Sequence, residues 1–235
     1  VTAGSRLGLW YESLSPLSTG FSTAPSLRGH NAVYFKTSPV SITLPVTTNA
    51  GDCIIMCVEG DLGASGPASG SGAGATWVTT SSNGATGTYN YLTHLVVGYN
   101  TSASQTTCSV TLPGSGTTQI NIQTSVWSNC KTSGSPVHAT AVNYGDSISS
   151  LSVGPLSYVA NQLVIEAYGS PNGGNNGNTW SNSATNNSIN DVGSNPRFTL
   201  NYIIPNSSGS TSLTSSNNNG PATEGLVLAT IDPTH

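Results

Sequence analysis

Two apolar runs of strand length constrain this chain more than any other feature. The first, Asp52-Cys-Ile-Ile-Met-Cys-Val-Glu-Gly-Asp61, returns as Asn161-Gln-Leu-Val-Ile-Glu-Ala-Tyr-Gly-Ser170, so that Cys53 and Leu163 stand 110 positions apart. Each is far shorter than the ~20 apolar residues of a membrane-spanning helix and is punctuated by glycine, which makes it a central, largely buried strand of a β-sandwich. The echo extends beyond these strands. Gly74-Ala-Thr-Trp77 is answered by Gly177-Asn-Thr-Trp180, Leu95-Val-Val97 by Tyr202-Ile-Ile204, and residues 120–127 by 225–232. A repeat this long lies outside the 20 to 50 residue period of solenoids. The sequence therefore predicts an all-β chain with two similar halves, about 31–130 and 131–235. Each half is expected to give about four strands to one antiparallel two-sheet β-sandwich, a jelly roll forming a single domain over 31–235.

Residues 1–30 show no sustained alternation and read as an extended N-terminal arm. Its apolar anchors Leu9, Trp10, Tyr11 and Phe21 need burial somewhere, and the sequence assigns them to contacts with a neighbouring subunit. From residue 32 the strands begin, and Val40-Ser-Ile-Thr-Leu44 alternates with period two, as a half-buried strand does. Residues 62–75 read as a surface loop, 89–99 and 106–112 as an antiparallel pair, and 130–155 as a connector with an edge strand at 137–142.

Charged residues make up 6% of the chain, and the net charge is −4 with five Lys plus Arg. A nucleic-acid site takes about six to ten phosphate contacts from one face, so nucleic acid is not an expected partner. No apolar run is long enough for a transmembrane helix, so neither is a membrane. So little charge to guard sheet edges suits a fixed assembly or an extracellular setting.

The candidate chemistry is sparse. Glu59 and Glu166 fall near corresponding positions of the two halves, yet glycoside hydrolysis needs two carboxyls facing one bond. Strand alternation groups Glu166 with Val164 and Tyr168, at a solvated or interface position. Asp52, Glu59 and Asp61 lack the spacing of a calcium loop. His30, His94 and His138 have no partners at fixed spacing, and no nucleophile elbow is present. Trp77 and Trp180 read as core anchors, with stacking on sugar rings as the alternative. Cys53 and Cys57 share a strand face about 13 Å apart and cannot bond to each other. Cys108 and Cys130 are candidate partners, or else all four cysteines are buried free thiols. No catalytic, cofactor-binding or metal-ligating residue is assigned, and no cofactor.

The order Ile42-Thr-Leu-Pro45, Ala50-Gly-Asp52, Gly74-Ala-Thr-Trp77, Cys108-Ser-Val-Thr-Leu-Pro113 and Gln119-Ile-Asn-Ile122 ending in Val126-Trp-Ser128 resembles the jelly-roll surface proteins of tailed bacteriophages. The chain departs from that pattern where Asn129-Cys130 stands in place of a common glycine. The resemblance implies a structural virion protein, a capsid decoration or fibre or a tail surface protein, that acts by assembly without catalysis. Its partners would be other virion structural proteins, further copies of itself as a homo-oligomer, and a host-surface glycan. A secreted carbohydrate-binding adhesin and an extracellular filament subunit are the alternatives, with an extracellular location.

Overall fold

The structure, a computed structural model, describes residues 23–35, 38–60, 66–83, 91–114, 120–170, 177–181, 187–188, 198–216 and 221–234. Strands β1 to β8 lie at Ser26–Phe35, Val40–Thr43, Cys53–Gly60, Ser69–Gly72, Thr76–Asn83, Tyr91–Tyr99, Thr107–Thr111 and Ile120–Ser128. Strands β9 to β16 lie at Val137–Ile148, Ser150–Tyr158, Leu163–Gly169, Gly177–Trp180, Asn187–Ser188, Phe198–Ile203, Gly209–Ser216 and Ala222–Ile231. The described residues contain no helix.

The first half forms a five-stranded sheet, β1-β8-β3-β6-β5, and a three-stranded sheet, β2-β7-β4. The second half repeats this order strand for strand, as β9-β16-β11-β14-β13 and β10-β15-β12. All pairings are antiparallel. The two-sheet sandwich expected from the sequence is thus replaced by four sheets, and each half supplies eight strands where about four were expected.

Three apolar clusters lie between these layers. One joins Ile42, Val110 and Leu112 of the first small sheet and its flank to Ile54, Met56, Val58 and Ile122 of the first large sheet. Another joins Leu151, Val153 and Leu213 to Val164, Tyr168, Leu226 and Leu228 in the second half. Between the large sheets runs a third, with Cys53, Ile55, Cys57, Leu95, Val97 and Trp127 against Leu163, Ile165, Ala167, Leu200, Val227 and Ala229. The order of layers is small sheet, large sheet, large sheet, small sheet.

This layering explains the two apolar runs. Every residue of β3 and β11 is buried, because both faces of a large sheet are covered, and such a strand loses the period-two alternation. The outer strands keep it: β2 alternates buried and exposed, as does β7 at its buried Cys108 and Val110. At roughly 25 cal/mol per Å² of apolar surface removed from water, the doubly covered strands are where burial stabilises most.

The pairing across the seam is nearly two-fold. β3 packs on its own counterpart β11, β6 on β16, β8 on β14 and β5 on β9. With β8 and β16, and β6 and β14, as corresponding strands, the β6–β16 contact has its image in β8–β14 and the β3–β11 contact is its own image, the self-complementary pattern of an isologous interface.

Several local expectations change. β1 begins at Ser26 and pairs with β8 from Ser26↔Ser128 to Phe35↔Ile120, so residues 26–30 belong to the large sheet and not to an arm. The anchors Leu9, Trp10, Tyr11 and Phe21 lie outside the described residues. The 89–99 and 106–112 segments do not pair, since β6 joins β3 and β5 while β7 joins β2 and β4. The edge strand expected at 137–142 is present as β9 but runs on to Ile148, and the rest of the expected connector leads into a second long strand, β10. Asn129 takes the place of a glycine by adopting φ +61°, a left-handed conformation that Asn tolerates better than most residues.

Candidate functional site

The carboxylates singled out by sequence point into different layers. Glu59 shares the seam-facing side of β3 with Cys53, Ile55 and Cys57, and the Asn121 amide donates to it at 2.6 Å. Glu166 shares a face with Val164 and Tyr168, as alternation predicts, but that face is the buried interior of the second half. Asn201 donates to it, also at 2.6 Å. The solvated or interface position expected for Glu166 is therefore overturned, because the small sheet covers that face. Glu59 and Glu166 do not face one another across a common space, as glycoside hydrolysis would require of them.

A third buried carboxyl, Glu224, escaped the sequence reading. It accepts a hydrogen bond from Ser215 at 2.8 Å, and burial raises its pKa against the opposing effects of Ser215 and the Tyr168 phenol. Burial, then the Glu224 charge, in turn pushes the Tyr168 phenol up. In the first half His94 is fully buried, takes its Nδ1 contacts from Ser81 Oγ at 2.7 Å and the Ala68 amide at 3.3 Å, and is pushed down by burial to a pKa of about 3. It is a structural imidazole held neutral.

Charge gathers instead at one pole, where β1, β3, β9 and β11 begin. Arg28 forms an ion pair with Asp52, which also accepts the Asn49 amide at 2.7 Å. The second half repeats the device with other groups. Gln162 accepts the Val159 amide at 2.9 Å and donates to Asp232 at 2.7 Å, while His138 and Lys131 approach Asp232 at 3.4 and 3.5 Å. The turns behind them match in detail. Gly51, at φ +82°, donates to the Thr101 carbonyl at 2.9 Å, and Asn161, at φ +66°, donates to the Pro205 carbonyl at 2.9 Å.

Two small clefts open at this pole. One of about 90 Å³ is lined by His138, Ser157, Tyr158, Val159 and Gln162. The other, about 160 Å³, is lined by Lys131, Thr132, Ser133 and Thr234. Sequence reasoning treated these residues singly, because the cluster comes from strand ends far apart in the chain.

Asp52 and Glu59 stand at opposite ends of β3, so they cannot share a calcium ion. The Trp77 ring packs partly buried against Gly70 and Gly98, and its Nε1 donates to the Gly72 carbonyl at 3.2 Å. Trp77 lies on β5 and Trp180 on β12, the counterpart of β4, so the two tryptophans are not equivalent. Cys108 belongs to the first-half interior and Cys130 to the seam, which rules out the pairing suggested by sequence.

Compared with models of known families, with curated proteins and with solved structures, the chain finds no match.

Proposed function

We propose that the protein is a structural component of a tailed-bacteriophage particle, on the capsid or tail surface, and that it works by assembly and contact without turnover. One observation carries this reading: in each half the first strand pairs with the eighth, the second with the seventh and the third with the sixth. That nested pairing is a long antiparallel ribbon wrapped into two sheets. We read each half as a jelly roll, an architecture that serves viral capsid domains. Fold does not fix function, so the reading also leans on charge. The described cations Arg28 and Lys131 are both spent on ion pairs within the chain. The twelve-residue edge strand β9 carries no Lys or Arg, the usual guards of an exposed edge, which suits a neighbour lying beside it. Its partners are then other virion proteins and further copies of itself.

A second reading, a carbohydrate-binding surface protein, draws on the His138, Tyr158 and Gln162 cleft, where an aromatic ring stands beside polar groups. Mass spectrometry of purified particles, with gold-labelled antibody on intact virions, tests the first reading. It is supported if the chain co-purifies with particles and is labelled on their surface. Recovery only as a free secreted protein that binds a glycan would favour the second.

A further inference from the structure

Three of the four cysteines line the seam, and two of these touch. Cys53 opens β3, and Cys130 follows β8 by two residues, where it forms an isolated bridge with Pro233. Because Cys53 pairs in register with Trp127, the chain needs only three further residues to bring Cys130 back over it. Both side chains are essentially inaccessible, at 0% and 1% exposure, they belong to the same buried cluster, and the Cys130 thiol makes a long 3.9 Å contact to the Ser128 carbonyl. Cys57, two pleats further along β3, instead donates to the Tyr168 carbonyl at 3.6 Å. Cys108 faces a different core.

We propose that Cys53 and Cys130 are a redox pair that closes to a disulfide when the protein meets a small disulfide oxidant such as oxidised glutathione. One thiolate attacks a sulfur of the oxidant, releasing one glutathione thiolate and leaving a mixed disulfide. The second thiolate then attacks the protein sulfur of that intermediate and releases the second glutathione. The two protons given up by the cysteines end on the two glutathione thiols, so the protein loses two electrons and the oxidant gains them. The thiolate is the attacking species. The contact with Cys130, then burial, holds the Cys53 thiol well above its usual range, so closure is slow in the folded protein and fast while the seam is still assembling.

The bond ties the start of β3 to the link between the halves and encloses β3 through β8 in one covalent loop. A loop of that length constrains the unfolded chain strongly, and a rise in Tm of roughly 5 to 10 °C is expected. The proposal stands whether or not the protein belongs to a virion.

The test uses the full chain, refolded in parallel with reduced and with oxidised glutathione. Thiol titration under denaturing conditions should give four reactive groups in the first case and two in the second. Peptide mapping should find Cys53 linked to Cys130. Cys53→Ser and Cys130→Ser should each abolish the bond and the Tm shift, while Cys108→Ser should keep both. Four free thiols after oxidative refolding, or a linked peptide containing Cys108 in place of Cys53 or Cys130, would overturn the proposal. Should either serine variant fail to fold, the map of the unmodified chain decides.

Discussion

Met56 and Val96 face each other across β3 and β6 in the first half, and Glu166 and Asn201 face each other across β11 and β14 at the corresponding place in the second. The backbone positions are the same, and both pairs are buried between a large and a small sheet. One is an apolar contact and the other a carboxylate with its amide. The seam holds the reverse case. There the first half places Glu59 opposite Asn121, while the second places Gly169 opposite Gly225. A Cβ on Gly169 would come within 3.0 Å of Glu59 Cγ, so a residue and its own counterpart meet near the two-fold axis. Two glutamates there would oppose like charges in a dry seam; a glycine on one side removes that conflict and makes room for the other. Strand order and turn geometry define the repeat, while each half satisfies its interior with different chemistry.

Importing one half's residues into the other tests this directly. The largest effect is expected from Met56→Glu, which buries a carboxylate without its amide and should cost about 5 kcal/mol in urea unfolding. Adding Val96→Asn should recover a measurable part of that loss. No recovery would mean that the two sites are not equivalent. Next comes Glu166→Ala, which takes the carboxylate from Asn201, leaves that amide only its 3.1 Å bond to the Thr199 hydroxyl and should cost about 3 kcal/mol, whereas Glu166→Met with Asn201→Val should fall within about 1 kcal/mol of the parent.

Smaller losses are expected at the seam. Gly169→Ala and Gly225→Ala would bring a Cβ within 2.6 Å of Thr93 Oγ1 and should each cost about 1 to 3 kcal/mol by overpacking, read from the same unfolding curves. A further change is set by pH. His94 is neutral in the folded protein down to a pKa of about 3, against 6.5 for the ordinary imidazole, so the unfolded chain binds more protons between these values. Its contribution is therefore present above pH 6.5 and is lost as pH falls toward 3. Glu224 acts with opposite sign: its raised pKa favours the folded state below 4.5, and that advantage is lost as pH rises through its folded value. Tm measured from pH 7 to pH 4 should fall, and His94→Gln should flatten that slope; an unchanged slope would remove His94 as its cause.

The sequence made the strands of the large sheets legible because they carry continuous apolar runs. Their missing alternation also held the information on layering: a strand such as Cys53-Ile-Ile-Met-Cys-Val58, apolar at every position, needs cover on both faces, which two sheets alone do not give. The correspondence of β3 with β11, of β6 with β14 and of β8 with β16 was readable for the same reason. β9 was readable only over 137–142, as an edge strand, and β10 not at all, since their half-exposed, Ser- and Gly-containing sequences look like a connector until β16 and β15 pair with them. The pole around Asp232 was hidden because Lys131, His138 and Gln162 converge only through the fold. Asn129 was visible as an oddity, and its positive φ supplies the reason.

Two eight-stranded halves, as described, meet through side chains and do not interlock through shared sheets. Cross-strand backbone NOEs on the isotope-labelled chain test it most directly. Ladders such as Ile55 with Val97 and Ile165 with Tyr202 are expected, all within residues 26–128 or within 137–231, with the bridge of Cys130 to Pro233 the one exception among the described residues. A ladder pairing a strand of the first half with a strand of the second would contradict it.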